Sequence, residues 1–171
     1  MTTARDLSDG VVVVVPADMA NEPEPLADVV VAGGPTRSAS VRAGLQAVPD
    51  DAVFVLVHDA ARPVPLPAVW ERVVDALDGG AEAVVPVVSV TDTLREREGA
   101  TVDRERLVAV QTPQGFRLDV LRRAHAAQAD GPDDASLAEA VGARVVLVDG
   151  DPSNIKITDP SHLAIAELLV R

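Results

Sequence analysis

Cysteine is absent from the 171-residue chain, which excludes disulfide bonds, thiolate metal sites and cysteine nucleophiles. Aromatic residues make up only 2% of the sequence, so small branched side chains must fill the core. No apolar run is long enough to cross a membrane, and the N-terminus, MTTARDLSDG, lacks the charged and apolar regions of a signal peptide. We therefore expect a soluble cytoplasmic protein without a membrane partner.

Positive charge is also scarce. The formal net charge is −12, which argues against nucleic acid or an anionic membrane as a partner, because the overall field would repel both. Lys156 is the only lysine among the 15 basic residues. Small anionic ligands can still bind where cations cluster locally.

The apolar runs alternate with segments of helical period. The runs predict strands at 11–15, 29–31, 53–57, 83–88, 107–110 and 143–148. Helices are predicted at 38–48, 67–77, 119–128, 134–141 and 160–170. This order predicts an α/β fold in a single domain spanning 1–171, with a doubly wound, mostly parallel sheet and helices on both faces. Binding sites in such sheets lie at the carboxyl ends of the strands.

Residues 93–110 depart from this alternation. Their middle is highly charged, with Arg104 and Arg106 on either side of Glu105, and Gly99 is suited to a turn. Alternating charges are typical of an exposed, salt-bridged strand. We expect an exposed hairpin or arm here.

The first candidate site is a glycine turn before a helix. Residues 29–45 (VVVAGGPTRSASVRAGL) run from a strand into Gly33 and Gly34, and the following helix begins with Ser38 and Ser40. Glycines let a ligand approach the backbone, and free N–H groups at a helix start favour an anion. The structural alternative is a plain turn with Ser38 as the helix cap. The dinucleotide fingerprint G-x-G-x-x-G is missing, so NAD binding has no direct support.

The second candidate follows the most apolar strand, in VFVLVHDAARP. His58, Asp59 and Arg62 emerge at its carboxyl end. A carboxylate there can meet a ribose or sugar hydroxyl or a metal-bound phosphate, and Arg62 can meet a phosphate oxygen. The alternative is a structural Asp–Arg pair that fixes the loop, with Pro63 ending the strand. For His58 we expect a packed, hydrogen-bonded residue rather than a base.

Two later stretches add polar candidates. QTPQGF (111–116) directly follows an apolar strand, which places Thr112 and Gln114 to hydrogen-bond a ligand. Lys156 lies between two isoleucines just before the last helix, and its compact ammonium suits a phosphate contact. The alternative is an ordinary surface lysine.

Taken in order, these stretches resemble one family. AGGPTRSASVRAGL, VLVHDAARP, TDTL (91–94), TVDRERL, QTPQGF, DDAS (133–136) and SNIKIT look like the 2-C-methyl-D-erythritol 4-phosphate cytidylyltransferases of non-mevalonate isoprenoid synthesis. The resemblance covers nearly all of residues 29–171. It implies a nucleotidyltransferase fold of the doubly wound α/β type, a homodimer formed through the projecting arm at 93–110, and use of CTP with Mg²⁺ bound through the CTP phosphates.

The resemblance also implies the reaction and the site. Methylerythritol phosphate would attack the α-phosphate of CTP and release pyrophosphate, without a covalent enzyme intermediate. The implied contacts to the cytidine part of CTP are Gly33, Gly34 and Ser40. The implied loop between nucleotide and sugar phosphate contains Asp59, Ala60 and Arg62. The implied cations that hold the sugar phosphate for attack are Arg104 and Lys156, with Thr93 and Thr112 lining that pocket and the arm reaching the partner subunit's site.

The sequence departs from the family near its start. Family members open with a strand and a glycine-rich loop whose Arg and Lys clamp the triphosphate, whereas 11–15 is followed by PADMANEPEP. MTTA resembles a family start and RDLSDGVVVVVPADM resembles the second strand, so we expect about forty residues to be missing between them. A gene deletion, a cut in the expressed chain or the omission of a flexible loop would each explain this.

Two alternative functions stay open at this stage. One is transfer of CMP to ribitol 5-phosphate by a related enzyme. The other is a non-catalytic dimeric remnant that lacks the triphosphate loop and binds nucleotide or sugar phosphate weakly.

Overall fold

A computed structural model describes residues 1–64 and 66–169. Its strands are β1 (Val12–Val15), β2 (Val29–Ala32), β3 (Phe54–Val57), β4 (Ala83–Ser89), β5 (Val108–Val110), β6 (Gln114–Arg117) and β7 (Val145–Asp149). Its helices are α1 (Thr2–Asp6), α2 (Arg37–Gln46), α3 (Pro67–Asp78), α4 (Leu118–Ala126), α5 (Asp134–Ala140) and α6 (Ser161–Leu169). Two short 3₁₀ turns lie at Ala17–Met19 and Arg104–Arg106. The predicted helix at 160–170 ends beyond the described residues.

The strands form two sheets. β1 and β2 pair in parallel, and the larger sheet has the order β3-β6-β4-β5, with β7 pairing in parallel with β4. β6 runs antiparallel to both β3 and β4, and β5 runs antiparallel to β4. The sheets and their covering helices form the α/β fold that the alternating pattern predicted.

β6 is the one strand that the sequence did not predict. Its QGFR sequence has no β-branched residue, and we interpreted it as part of a polar ligand-binding segment. β6 pairs with both β3 and β4, and α3 packs directly onto it: a Cβ on Gly115 would lie 2.4 Å from Val73 Cγ1 and 2.8 Å from Leu77 Cδ1. Only glycine allows this close approach of helix and sheet.

Burial differs among the apolar strands. The first four residues of β4 are buried, whereas β1 and β3 are only half-buried and β5 is exposed. The apolar runs were expected to form buried strands, but only the run in β4 reaches that burial among the described residues, because β2 and β7 also contain only half-buried and exposed positions. Within the described residues, β1 and β3 each pair with a strand along one edge only.

Two clusters of apolar side chains make up the core. The larger one lies between α4, α5 and the sheet, around Phe116, Leu121 and Leu137. The smaller one lies under α3, where Val73 and Leu77 contact Val84. α3 begins at Pro67, which suits the first turn because its nitrogen carries no hydrogen to leave unpaired.

The predicted arm is a hairpin. Arg95 bridges Thr101, Val102 N–H donates to the Leu94 carbonyl at 2.9 Å, and Gly99 lies in the turn. Nearly all of its side chains are exposed, which confirms the predicted hairpin. Its part in dimerisation stays a prediction.

No helix in the described part of the chain combines the length and apolar character needed to cross a membrane. The cytoplasmic location stays a prediction.

Candidate functional site

A cavity of about 390 Å³ lies where the segments following β3, β5 and β7 meet the start of α2. Most of its lining residues are polar or charged. They are Arg37, Asp59, Arg62, Val110, Gln111, Thr112, Gln114, Pro132, Asp133 and Lys156. The polar ends of three separate chain segments are thus brought to one place, as the predicted fold requires.

The loop after β3 is held by His58 and Thr112. Arg62 N–H donates to the Asp59 carbonyl at 2.9 Å, which closes a tight turn. His58 Nε2 lies 3.0 Å from the Arg62 carbonyl oxygen, so this nitrogen is the one that donates. Thr112 Oγ1 lies 3.1 Å from His58 Nδ1 and accepts from Asp59 N–H at 3.0 Å. These hydrogen bonds therefore fix the position of the Asp59 backbone in the loop.

His58 is a packed, hydrogen-bonded residue, as we expected. Its ring centroid lies 5.3 Å from that of Trp70. Burial lowers the pKa of His58 below its ordinary value, and the bond to the Arg62 carbonyl offsets only part of that effect. The ring is therefore neutral at pH 7, with a free lone pair on Nδ1 to accept from the Thr112 hydroxyl.

Arg62 ties the same loop to two other segments. Its guanidinium donates to the Asn154 carbonyl at 2.6 Å and to the Val110 carbonyl at 3.2 Å. Burial lowers the pKa of Arg62, and the Asp59 carboxylate opposes that change. Arginine stays charged even so, and within the described residues the hydrogen bonds of this guanidinium go to neutral carbonyls, so its charge remains available to an anion in the cavity.

Gln111 and Asn154 fix the segment that carries Lys156. Gln111 Oε1 accepts from Asp151 N–H at 3.0 Å, and its amide nitrogen donates to the Asp151 carbonyl at 2.8 Å. Asn154, which is fully buried, donates to the Thr112 carbonyl at 2.9 Å. These bonds join the QTPQ and SNIK segments and place Lys156 beside the β3 loop.

Asp59 is the centre of the charged site. Its Oδ2 lies 2.7 Å from Lys156 Nζ, and its Oδ1 accepts from Arg37 Nε at 3.3 Å. Burial by itself raises the pKa of Asp59, but the bond from Lys156 and the charge of Arg37 outweigh burial and hold that pKa below the usual range. Asp59 is therefore a carboxylate at neutral pH.

The cavity lining carries three cations and two carboxylates, in a chain whose net charge is −12. The cations are Arg37, Arg62 and Lys156, and the carboxylates are Asp59 and Asp133. Asp134 pairs with Arg37 behind this lining, so three carboxylates match the three cations, and Arg62 and the half-exposed Lys156 are the cations that a small anion such as a phosphate can reach.

Four of the predicted site residues, namely Asp59, Arg62, Thr112 and Lys156, line this cavity together. Ala60 is an exposed residue of the same loop. Thr93 and Arg104 are not among the described residues that line the cavity, because both lie on the exposed hairpin. Arg104 donates to the Thr91 carbonyl, just before the arm.

Gly33 and Gly34 lie in the turn before α2 and Ser40 lies in the first turn of that helix, and none of the three is among the described residues that line the cavity. Gly34 N–H donates to Ser40 Oγ at 3.2 Å, and a Cβ on Gly34 would lie 2.5 Å from Ala39 Cβ. The helix cap is Thr36, whose Oγ1 accepts from Ala39 N–H at 3.1 Å. The alternative that made Ser38 the cap was therefore wrong, because Ser38 is buried inside the first turn and accepts from Gly131 N–H.

Gln114 binds protein groups at both ends of its amide. Its nitrogen donates to Asp133 Oδ2 at 2.9 Å, and its oxygen accepts from Ala135 N–H at 3.2 Å. It is 1% exposed and joins β6 to the start of α5. Its main contacts are thus structural, although we placed it with Thr112 as a ligand-binding residue.

Sequence reasoning missed Arg37 and Asp134. Arg37 Nη1 lies 2.8 Å from Asp134 Oδ2, and Asp134 is completely buried. The available signals were a single arginine directly after the Gly-Gly turn and a second aspartate directly after a helix cap. Neither signal shows that the two residues meet, since they are far apart in the chain.

Comparison with known proteins gives one consistent result. The family profile described as 2-C-methyl-D-erythritol 4-phosphate cytidylyltransferase matches residues 1–171. The enzyme of that name from Rhodococcus jostii (strain RHA1) is 50% identical over 172 residues, which cover 95% of this chain and 75% of the relative. The enzyme of that name from Streptomyces coelicolor is 45% identical, over 94% of this chain and 67% of the relative.

Comparison with solved structures gives the same family. The crystal structure of 2-C-methyl-D-erythritol 4-phosphate cytidylyltransferase from Thermus thermophilus superposes with a TM-score of 0.91 at 41% identity, covering 99% of this chain and 85% of that one. A second structure, described as 4-diphosphocytidyl-2C-methyl-D-erythritol synthase, gives a TM-score of 0.82 at 37% identity, over 95% and 82% of the two chains. As the ordered motifs predicted, the chain belongs to the 2-C-methyl-D-erythritol 4-phosphate cytidylyltransferase family.

Proposed function

We propose that the protein transfers CMP from CTP to 2-C-methyl-D-erythritol 4-phosphate and releases pyrophosphate. Family membership supports the reaction type, because the relatives carry that name. The observation that carries the proposal is the cluster of Arg37, Arg62 and Lys156 around Asp59 in one cavity. Both substrates are phosphorylated, and a cavity that presents Arg62 and Lys156 near the carboxyl ends of the strands suits them.

The chemistry is a displacement at phosphorus. A phosphate oxygen of the sugar attacks the α-phosphorus of CTP, a new P–O–P bond forms, and the bond to the β-phosphate breaks with its electron pair leaving on pyrophosphate. The protein has to hold two anions together and neutralise their charge. We assign this to Lys156 and Arg62 from the cavity, with Thr112 fixing the Asp59 loop between the two substrates.

We place the cytidine part of CTP at the turn before α2. Gly34 is exposed and Gly33 is half-buried there, and the Ser40 hydroxyl accepts from Gly34 N–H. Larger side chains at the glycines would displace Ser40 and Ala39, since a Cβ on Gly33 would lie 2.8 Å from Ser40 Oγ. Ala60 is exposed in the adjacent loop, and we propose that it contacts the same nucleotide.

We propose that Mg²⁺ enters with the CTP phosphates. The described residues contain no group of three or more His, Cys, Asp or Glu side chains suited to hold a metal ion, and Asp59 is already paired with two cations. This donor set fits a metal held mainly by phosphate oxygens. When bound, Mg²⁺ would neutralise charge on the triphosphate.

We propose a homodimer of single-domain subunits that form contacts through the arm at 93–110. Leu94, Leu107 and Val108 are 38%, 36% and 46% exposed, which gives the arm apolar side chains that a subunit contact can bury. Thr93 and Arg104 lie on this arm and outside the cavity of their own subunit. In a dimer the arm would carry them to the sugar phosphate in the partner's cavity.

The direct test measures pyrophosphate release from CTP and Mg²⁺ with three acceptor conditions: 2-C-methyl-D-erythritol 4-phosphate, ribitol 5-phosphate and no acceptor. We expect release only with the first. Lys156→Met should abolish most of it, whereas Arg123→Met, which removes an exposed cation on α4, should not. Greater turnover of ribitol 5-phosphate would reassign the acceptor.

Calorimetry with CTP and Mg²⁺ distinguishes an enzyme from a non-catalytic remnant. Micromolar, Mg²⁺-dependent binding is expected of the enzyme. Absence of both binding and pyrophosphate release would contradict the proposed function.

A further inference from the structure

Five ionisable side chains form one continuous chain from the interior to the cavity. His125 Nε2 lies 2.9 Å from Asp134 Oδ1, and Asp134 Oδ2 lies 2.8 Å from Arg37 Nη1. Arg37 Nε then donates to Asp59 Oδ1 at 3.3 Å, and Asp59 Oδ2 meets Lys156 Nζ at 2.7 Å. Each acid therefore lies between two basic groups.

Asp134 anchors the buried end. It is the first residue of α5 and is 0% exposed. A buried carboxylate is costly unless it is paired, and removal of one partner leaves an uncompensated charge in the interior. Asp134 meets this requirement through His125 on α4 and Arg37 on α2. The position of the Arg37 guanidinium is therefore tied to the packing of two other helices.

Arg37 joins two carboxylates that belong to different segments. One of its nitrogens meets Asp134 and another meets Asp59, and the guanidinium plane sets the distance between them. Burial alone lowers the pKa of Arg37, but Asp134 and then Asp59 raise it above its ordinary value. A lysine ammonium is a point charge without this fork, so it cannot hold the same two partners in the same geometry.

Asp59 is the point at which this chain reaches the cavity. It is held by Arg37 from α2, by Lys156 from the segment after β7 and by the Thr112 hydroxyl at its backbone N–H. With Arg37 fixed on one oxygen, the other oxygen is directed to Lys156. We propose that Arg37, anchored by Asp134, is a positioning residue that fixes Asp59 and, through it, Lys156 in the active cavity.

This inference rests on the proposed function for the role of Lys156, but its first test needs no turnover. The titration of Asp59 is followed by NMR of ¹³C-carboxyl-labelled aspartate, with the Asp59 signal identified by its loss in Asp59→Asn. Arg37→Met should raise the Asp59 midpoint by about one pH unit, because one of its two cations is lost. Arg42→Met is the matched control: Arg42 lies on the same helix and pairs with Asp130 at 3.3 Å. It should leave the midpoint unchanged.

Arg37→Met removes one partner of the buried Asp134 carboxylate. The double variant Arg37→Met with Asp134→Asn therefore controls for misfolding caused by that loss. It should show the same rise in the Asp59 midpoint. The anchor is tested by hydrogen exchange of the Arg37 Nε–H, which we expect Asp134→Asn to speed at least about tenfold, because the guanidinium is released. Exchange at Arg42 Nε–H should not change. An Asp59 midpoint or an Arg37 exchange rate equal to that of the unaltered protein would overturn the proposal.

Turnover adds a third measurement. Arg37→Lys should keep the Asp59 midpoint low, since it retains a charge, but should still lower kcat by about tenfold or more with little change in KM for CTP, because a misplaced reacting group costs rate. Full kcat in Arg37→Lys would show that charge alone suffices and would overturn the positioning role. Lack of turnover in the unaltered protein would count against the proposed function and leave both NMR results to decide this inference.

Discussion

Lys156 Nζ lies 2.7 Å from Asp59 Oδ2, and this ion pair joins the segment after β7 to the loop after β3. The two side chains are 41% and 15% exposed, so the ammonium faces the cavity while the carboxylate lies beneath it. If the proposed function holds, a phosphate that enters the cavity meets an ammonium that Asp59 already orients. The compact charge of a lysine suits that contact.

Removal of that charge should impair use of the sugar phosphate. We expect Lys156→Met to lower kcat/KM by about 10- to 100-fold, which corresponds to loss of a charged hydrogen bond of about 1.5–3 kcal/mol. Lys156→Arg should recover only part of the activity, because the guanidinium fork is larger and differently shaped. Steady-state kinetics with varied sugar phosphate measures both. Equal activity of Lys156→Met and Arg123→Met would contradict this assignment.

Acid should weaken the fold partly through Asp59. Its pKa is lowered in the folded protein, so its contribution to the free energy of unfolding is complete above the unfolded pKa, about 3.9, and is lost as pH falls through the lower folded value. Urea unfolding of the unaltered protein and of Asp59→Asn should show a constant stability difference above about pH 5 that shrinks below it. A stability difference between the two proteins that stays the same down to pH 3 would show that Asp59 does not contribute to acid unfolding.

The pH dependence should not vanish in Asp59→Asn. Asp28, Asp151 and Asp159 also have lowered pKa values, each mainly because it accepts hydrogen bonds from nearby backbone or side-chain groups. The free energy of unfolding of Asp59→Asn should therefore still fall at low pH, because these three aspartates are unchanged in it.

The sequence predicted the parts of the site that depend on local pattern. Asp59 and Arg62 follow an apolar run, and Lys156 follows another, so the doubly wound fold brings them to one edge. The link between Arg37 and Asp134 was not predictable in this way, because it depends on how two helices pack over the sheet. β6 was missed for a similar reason: Gly115 and Gln114 have low strand propensity, and tertiary contacts with α3 and α5 override it.

Even a methyl side chain at Gly115 should destabilise the fold. We expect Gly115→Ala to lower the free energy of unfolding by about 1–3 kcal/mol, because the added methyl overlaps Val73 and Leu77. Thermal unfolding followed by circular dichroism should show a fall in Tm of about 2–4 °C per kcal/mol. Gly10→Ala is the control, since a Cβ there has one neighbour, at 3.6 Å. A Gly115→Ala protein as stable as the control would show that α3 can move away from β6.

The last prediction concerns the hairpin arm. β5 pairs with β4 along one edge in the described residues, and Val108 is 46% exposed on it, beside exposed Leu107. If the arm joins two subunits, a charge at Val108 must be desolvated in the interface. We therefore expect Val108→Asp to convert a dimer of about twice the 17.8 kDa chain mass into a monomer in sedimentation velocity experiments.

Val53→Asp is the matched control, because Val53 is 60% exposed just before β3 and lies outside the arm. It should leave the dimer intact. Since Arg104 lies on the arm and outside its own cavity, Val108→Asp should also lose pyrophosphate release while CTP still binds in calorimetry. A Val108→Asp monomer with full turnover would show that each subunit completes its own site. Dimers that persist in Val108→Asp would place the subunit interface on another surface.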